Sequence, residues 1–347
     1  MVHPTEESRL VRLSVVVPAF NCQDTIEACL LAIRRSAYQD YELIVADDGS
    51  SDGTADLARK HADKLVLLPH AGRTSARKNG LKVAEGQILV NVDSDVLVTT
   101  DTLSKIAEFF KAHPLIEAVT GCLEKNTPDK NFFSQYKNLY MYYTFRRLPE
   151  NVAFLYGSIH ALRAERQDPP PGMKEFLSIA RVADDTALGQ SYAAAGKPIF
   201  FLKDLQVTHL KKFTLVSFIQ NDFHIPFDWA KIFLHYQGWR QIGKNGTGYC
   251  HSPKEQLISV VLAPLLMLLL IITACGQAPA FLSLAGTLLW LLLNLGFLVF
   301  LAREKGPAFG AKAILVTFLD HLIMATGIVC GSVAFMLKDV KDEKIRS

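Results

Sequence analysis

Two short apolar runs end in carboxylates. Residues 44–54 read IVADDGSSDGT, and residues 91–96 read NVDSDV. In a parallel α/β sheet, ligands bind just beyond the carboxyl ends of the strands. The two runs therefore aim Asp47, Asp48, Asp93 and Asp95 at one crevice. Four carboxylates gathered there need a cation or a hydrogen-bonding ligand, and a nucleotide diphosphate held through a divalent metal supplies both. Asp93 and Asp95 flank Ser94 as a DxD pair. Positions i and i+2 of an extended segment point to the same side, and such oxygen ligands suit Mg²⁺ or Mn²⁺ bridged to diphosphate oxygens. A capped turn before the next helix is the alternative for this pair. Asp48 could accept the imide N–H of a uracil or an N–H of guanine; a turn or cap role fits Asp52 better. Gly49 and Gly53 permit the tight turn and a close backbone approach. Arg77 offers a planar fork for diphosphate or ribose. Paired carboxylates recur at Asp184 and Asp185, where one pKa can be raised toward that of a useful base; helix capping by both is the alternative. His209, in VTHLKK, could complete a metal shell or touch phosphate, against a structural role.

The elements around these residues alternate. Strands are expected at Leu13–Pro18, Tyr41–Ala46, Lys64–Leu68, Gln87–Val92 and Glu117–Leu123. Helices are expected over 24–36, 54–62, 74–84 and 101–112. This order predicts an α/β fold, a mostly parallel nucleotide-binding sheet flanked by helices. Residues 124–180 are less regular, with an aromatic-rich helix over 132–145 and a loop at DPPPG, 168–172. A helix over 183–195 ends at Gly196, before a strand at Ile199–Leu202. Residues 211–256 carry aromatics between scattered charges, as amphipathic interfacial helices do.

Composition shifts at the C-terminus. The 347 residues carry net charge +3 without a clustered basic arm, so nucleic acid is not an expected partner. Stretches at about 257–275, 279–302 and 313–337 are apolar enough for a three-helix membrane anchor. Lys244 and Lys254 precede the first, and Arg303, Lys305 and Lys312 separate the second and third. The positive-inside rule then puts the catalytic part, 1–210, in the cytosol of an integral protein of a bacterial-type inner or plasma membrane. Lysines in the polar tail, 338–347, strain that count but are balanced by acids. Asp320 and His321 lie early in the third stretch, in a functional role or simply facing protein. None of the six cysteines forms a CxxC pair, which argues against disulfides or zinc. The N-terminus MVHPTEESRLVR lacks the apolar core of a signal peptide.

VVVPAFN at 15–21, DDGSSDGT at 47–54, GRTSARKNGLKVAEG at 72–86 and DSD at 93–95 together resemble the family 2 glycosyltransferases, whose catalytic domain has the fold called GT-A. The resemblance covers roughly residues 13–210. It implies base reading by Asp48 and a frame for base and ribose from Pro18, Ala19, Phe20 and Asn21. It further implies direct metal ligation by Asp95, and contact of Asp93 with ribose or metal-bound water. Lys78 intervenes before Asn79, where the family more often has Asn directly after the Arg. Gly157-Ser158 matches a turn near the sugar and acceptor. ADDTAL resembles the family's Glu-Asp motif, with Asp184 in place of Glu and Asp185 as the base that takes the acceptor proton. The QxxRW motif of processive synthases is not matched, since Trp229 has no preceding Arg, so single-sugar transfer is expected. The expected function is metal-dependent, inverting hexosyl transfer from a UDP- or GDP-linked sugar to a lipid or polyprenyl-linked acceptor. A nucleotidyltransferase would need a glycine-rich basic loop after the first strand, and a non-catalytic nucleotide-sugar-binding scaffold would not need both acidic motifs.

Overall fold

The computed structural model describes residues 11–164, 182–240, 242 and 249–346, with 338–346 described by backbone alone. The N-terminal ten residues, DPPPG and Lys244 lie outside the described residues. In chain order the elements are β1 (Leu13–Ala19), α1 (Ile26–Arg34), β2 (Tyr41–Asp47), α2 (Thr54–His61), β3 (Lys64–Leu67), α3 (Arg73–Lys82), β4 (Ile88–Val92), β5 (Val96–Leu97), α4 (Thr102–Ala112), β6 (Ala118–Leu123), α5 (Phe132–Phe145), β7 (Asn151–Val152) and β8 (Ile159–Arg163). Then follow α6 (Asp184–Ala194), β9 (Ile199–His209), α7 (Leu215–His235), α8 (Lys254–Ala274), α9 (Ala280–Lys305) and α10 (Pro307–Arg346). These residues form two compact units. The first takes 11–128, 150–164 and 184–211, and the second 129–149, 182–183 and 212–346.

The first unit is a nine-stranded mixed sheet with flanking helices. Eight strands run in the order β3-β2-β1-β4-β8-β6-β9-β5, and β7 joins β9 from the side. The seven residues of β1 are all buried, because LSVVVPA is β-branched and has covered neighbours on both faces. The parallel pairing expected from alternation holds for β3, β2, β1 and β4. Beyond β4 the sheet is mixed. β8 enters antiparallel to both β4 and β6, while β6 and β9 are parallel. The chain leaves β1 toward β2 and β3, then returns to place β4 on the other side. Ligand crevices form at such reversals, outside the carboxyl ends of the strands.

Glycine sets the seat of α3. A Cβ on Gly80 would lie 2.6 Å from Val16 Cγ1 and 3.3 Å from the Ala46 Cβ. The helix therefore rests closely on β1 and β2, which directs its buried Arg77 over the sheet. β9 runs eleven residues, far past the Leu202 end expected from sequence. Its register on β6 shifts between Thr120 and Cys122, opposite a stretch holding the polar pair Lys203-Asp204.

The second unit is helical. Tyr136, Leu139, Phe213, Phe218, Phe297, Leu298, Leu301, Ala313 and Val316 make one of its cores. The interfacial stretch holds one long helix, α7, opened by a Thr214–Ser217 capping box. α7 runs against α10, whose Gly327 and Gly331 meet the carbonyls of Phe223 and Phe227. Lys254–Ala274, Ala280–Lys305 and Pro307–Leu337 are long and apolar enough to cross a membrane. The tail beyond 337 continues α10 to Arg346.

Candidate active site

The loop after β1 is fastened to the loop after β2. The Asn21 backbone N–H donates to Ser50 Oγ at 2.9 Å, and Asn21 Oδ1 accepts from the Ser51 N–H at 2.9 Å. Asn21 takes φ 44°, in the left-handed region that Asn tolerates better than most residues. Gly49 has φ 78°, and a Cβ there would stand 2.9 Å from the His70 nitrogen. The exposed Phe20 ring stacks on His70 with centroids 4.2 Å apart. Pro18 and Ala19 end β1 just before Phe20, both buried.

The four carboxylates expected to share a crevice divide into two pairs. Asp47 is satisfied by Ser50, whose N–H donates at 3.2 Å and whose hydroxyl donates at 2.5 Å. Asp48 is buried, with Oδ1 accepting from the Ala71 N–H at 2.9 Å and Oδ2 from the Gly72 N–H at 2.8 Å. His70 Nδ1 stands 2.8 Å from Asp48 Oδ2. The need for an outside cation thus falls on Asp93 and Asp95. Backbone N–H groups, with the Ser50 hydroxyl and the His70 ring, answer the other two.

At the end of β4, Asn91 accepts from Arg77 Nε at 2.7 Å and donates to the Gly157 carbonyl at 2.7 Å. Asp93 stands near Arg77 Nη2 at 3.6 Å, beyond hydrogen-bond range. Among the described residues, Arg77 Nη2 and Asp93 Oδ1 are both buried without a hydrogen-bond partner. Burial lifts the Asp93 carboxyl above the ordinary carboxylate range, against the pull of Arg73 and Arg77. Asp95 behaves oppositely. β5 pairs with the end of β9, Val96 against His209, and sets His209 Nε2 3.3 Å from Asp95 Oδ2. Burial opposes the Asp95 charge, but His209 and Lys211 outweigh it and hold the group at about 2. Ser94 lies between the two acids, beside the Cys22 thiol.

Asp184 opens α6 and is fully buried. Arg73 Nη2 donates to its Oδ1 at 2.7 Å and Arg77 Nη1 to its Oδ2 at 2.6 Å. Burial resists this charge, yet the two guanidiniums keep Asp184 at about 2. Asp185 has a backbone donor in the Thr186 N–H at 2.7 Å. Burial and then the Asp184 charge raise it to about 6. A Cβ on Gly157 would lie 2.7 Å from Asp185 Oδ2 and 3.4 Å from Asp93 Oδ2. The structure thus brings Arg77, Asp93, Asp184, Asp185 and Gly157 together, with Asp95 and His209 beside Asp93. Ser158 joins the group through its carbonyl, which accepts from the Asp93 N–H at 3.4 Å. Asn79 stays on α3, bonded to the Ser75 carbonyl at 2.9 Å.

Three contributors had not been singled out from sequence: Arg73, Asn91 and His70. Arg73 and Arg77 are four apart on one helix face, and Asn91 precedes Asp93 by two on a strand. Both spacings are visible in the sequence. The stack of His70 on Phe20 has no local signal.

Residues 14–166 match the family described as glycosyl transferase family 2. This segment is a family 2 glycosyltransferase domain. Poly-beta-1,6-N-acetyl-D-glucosamine synthase of Staphylococcus epidermidis is 30% identical to this protein over 122 residues, 34% of this chain and 30% of the relative. UDP-Glc:alpha-D-GlcNAc-diphosphoundecaprenol beta-1,3-glucosyltransferase WfaP of Escherichia coli is 31% identical over 103 residues, 28% of this chain and 41% of the relative. The chain thus spans about a third of the length of these curated relatives. Mannosyltransferase PcManGT of Pyrobaculum calidifontis, solved with GDP-Man and Mn2+, shares the fold at TM-score 0.54 and 17% identity, covering 95% of this chain and 88% of that one.

Proposed function

We propose that this chain is a membrane-anchored, metal-dependent, inverting transferase that passes one sugar from a nucleoside-diphosphate sugar to a lipid or lipid-linked hydroxyl. The observation that carries the reading is the split between Asp184 and Asp185. Two arginines hold the first ionised, and burial, joined by that charge, raises the second into the range of a general base near neutral pH. Asp185 takes the acceptor O–H proton as that oxygen bonds to the anomeric carbon. The bond from that carbon to the diphosphate breaks, the nucleoside diphosphate leaves with the electron pair, and the configuration inverts.

Pro18–Asn21, Asp48 and the Phe20–His70 stack frame the base and ribose. Arg77 Nη2 and Asp93 face the diphosphate. Among the described residues no three His, Cys, Asp or Glu side chains already form a metal cage. The orphaned Asp93 Oδ1 and the adjoining Asp95–His209 pair nevertheless make a hard oxygen and imidazole donor set that fits Mn²⁺ or Mg²⁺. Such an ion, held by Asp95 with Asp93 and His209, would neutralise charge on the leaving diphosphate. WfaP, by its name, uses UDP-Glc and a diphosphoundecaprenol-linked acceptor, and three apolar helices follow the catalytic unit here. Both support a lipid-linked acceptor, and the lysines and arginines flanking the spans favour the cytosolic face.

The test uses the full chain in lipid nanodiscs with undecaprenyl-linked acceptors and a panel of UDP- and GDP-sugars, with Mn²⁺ or Mg²⁺. One donor should add a single sugar mass to the lipid. Asp185→Asn should keep donor affinity and lose about 10²–10⁴-fold in turnover. Donor hydrolysis without a lipid product, or an Asp185→Asn enzyme with most of its turnover, would refute the reading.

A further inference from the structure

Residues 256–302 contain no Asp, Glu, Lys or Arg, and charge returns abruptly on either side. α8 begins, α9 ends and α10 begins at one end of the helical unit, and α5 packs along that end. Phe132 of α5 packs at a tilt on Phe309 with centroids 4.5 Å apart, while Tyr142 and Tyr143 lie against Phe300 at 6.3 and 5.2 Å. Arg147 Nη2 is 3.9 Å from Glu255 at the start of α8. Exposed cations therefore collect at this end, namely Arg146, Arg147, Lys254, Arg303, Lys305 and Lys312. Glu255 and Glu304 are the acids interspersed among them.

Three of these cations are seated on aromatic rings. Arg146 lies 5.6 Å from the Tyr142 ring centre and donates to its hydroxyl at 3.2 Å. Arg147 lies 5.1 Å from the Tyr143 ring and donates to that hydroxyl at 2.6 Å. Lys312 Nζ stands 4.3 Å over Phe132. A guanidinium held on an aromatic face keeps free N–H groups in a planar fork suited to phosphate. The aromatic rings beneath suit the boundary between headgroups and acyl chains.

We infer that this end of the helical unit is a collar that binds the phosphates of anionic phospholipid headgroups. The inference rests on the membrane anchor proposed above. Charge complementarity selects the occupant: six cations and two acids border an uncharged stretch long enough to cross the bilayer twice. At the opposite end the α8–α9 turn carries no charge, and the four cations of the 338–347 tail stand among three acids, Asp339, Asp342 and Glu343, so no comparable cationic excess gathers there.

The experiment reconstitutes the full chain into phosphatidylcholine with phosphatidylglycerol at about 30 mol %. Bound lipids are counted by native mass spectrometry, alone and with undecaprenyl phosphate added. Phosphatidylglycerol should be enriched over phosphatidylcholine, and the enrichment should weaken with salt. The variant R146Q/R147Q/K305Q/K312Q should lose about tenfold or more of that preference. The control R59Q/K60Q, on α2, should keep it. Equal binding of the two phospholipids by the wild type, or a preference surviving in the variant, would overturn the inference. A preference for undecaprenyl phosphate alone would overturn it in favour of an acceptor-phosphate site. Release of the wild-type chain by carbonate would refute the anchor itself, and the collar with it.

Discussion

Each oxygen of Asp184 faces a different arginine of α3, whereas Asp185 accepts from the backbone N–H of Thr186. The pH profile should report this inequality. A raised carboxyl is protonated and idle as a base below its pKa, so turnover should climb as pH rises through about 6. Asp184→Asn removes the negative neighbour and leaves two guanidiniums in place. The rising limb should then move to lower pH, and a limb that stays put would show that Asp184 does not tune its neighbour. Asp95→Ala should abolish transfer with folding intact by circular dichroism. Full activity in chelator would sink the metal assignment. The acidic pairs were legible in sequence because carboxylates are conspicuous at strand ends. The satisfaction of Asp48 was not, because its partners are backbone N–H groups 23 and 24 residues away. Arg73 was equally hidden, since a lone arginine at a helix start is ordinary until its partner, 111 residues on, is known.

At the scale of elements, the strands with buried, β-branched runs read clearly, and their limits moved by a residue or two. β8 did not, because IHALR mixes a buried His160 and a terminal Arg163 into a short run. Arg163 donates to the carbonyls of Phe110, His113 and Ile116, contacts that only the folded sheet provides. β9 was cut short because Lys203, Asp204 and Gln206 broke its apolar pattern. The α7–α10 contact was missed for a different reason. Two glycines four apart signal close helix packing, but nothing local names the partner. Gly331→Leu should therefore cost about 1–3 kcal/mol through overlap with the Phe227 carbonyl. A thermal melt in detergent reads this, with Val329→Leu, on the exposed side of the same helix, as the unchanged control.

For the whole molecule, three apolar helices were legible because a span is mostly a matter of length and composition. Their direction rests on the charge asymmetry, and native cysteines can test it. Cys275 is exposed beside Gly276, at the α8–α9 turn. In a variant keeping only Cys275, an impermeant thiol reagent should label intact cells. A cysteine placed at Ala308 should react only after lysis. The reverse pattern would invert the topology. The membership of α5 in the helical unit was not legible, since its aromatic face gives no sign of which helices cover it. That membership has a consequence for biosynthesis. The Tyr136 hydroxyl donates to Thr317, 181 residues later. At about 5–20 residues per second, the ribosome takes roughly 10–35 s to supply that partner. For the first part of this interval, until Phe213 and Phe218 are made, α5 waits with its aromatic face uncovered, while the strands that follow it are being made. The nascent chain therefore depends on a chaperone or an early encounter with the bilayer, and halting translation before residue 280 should leave α5 captured by one of them.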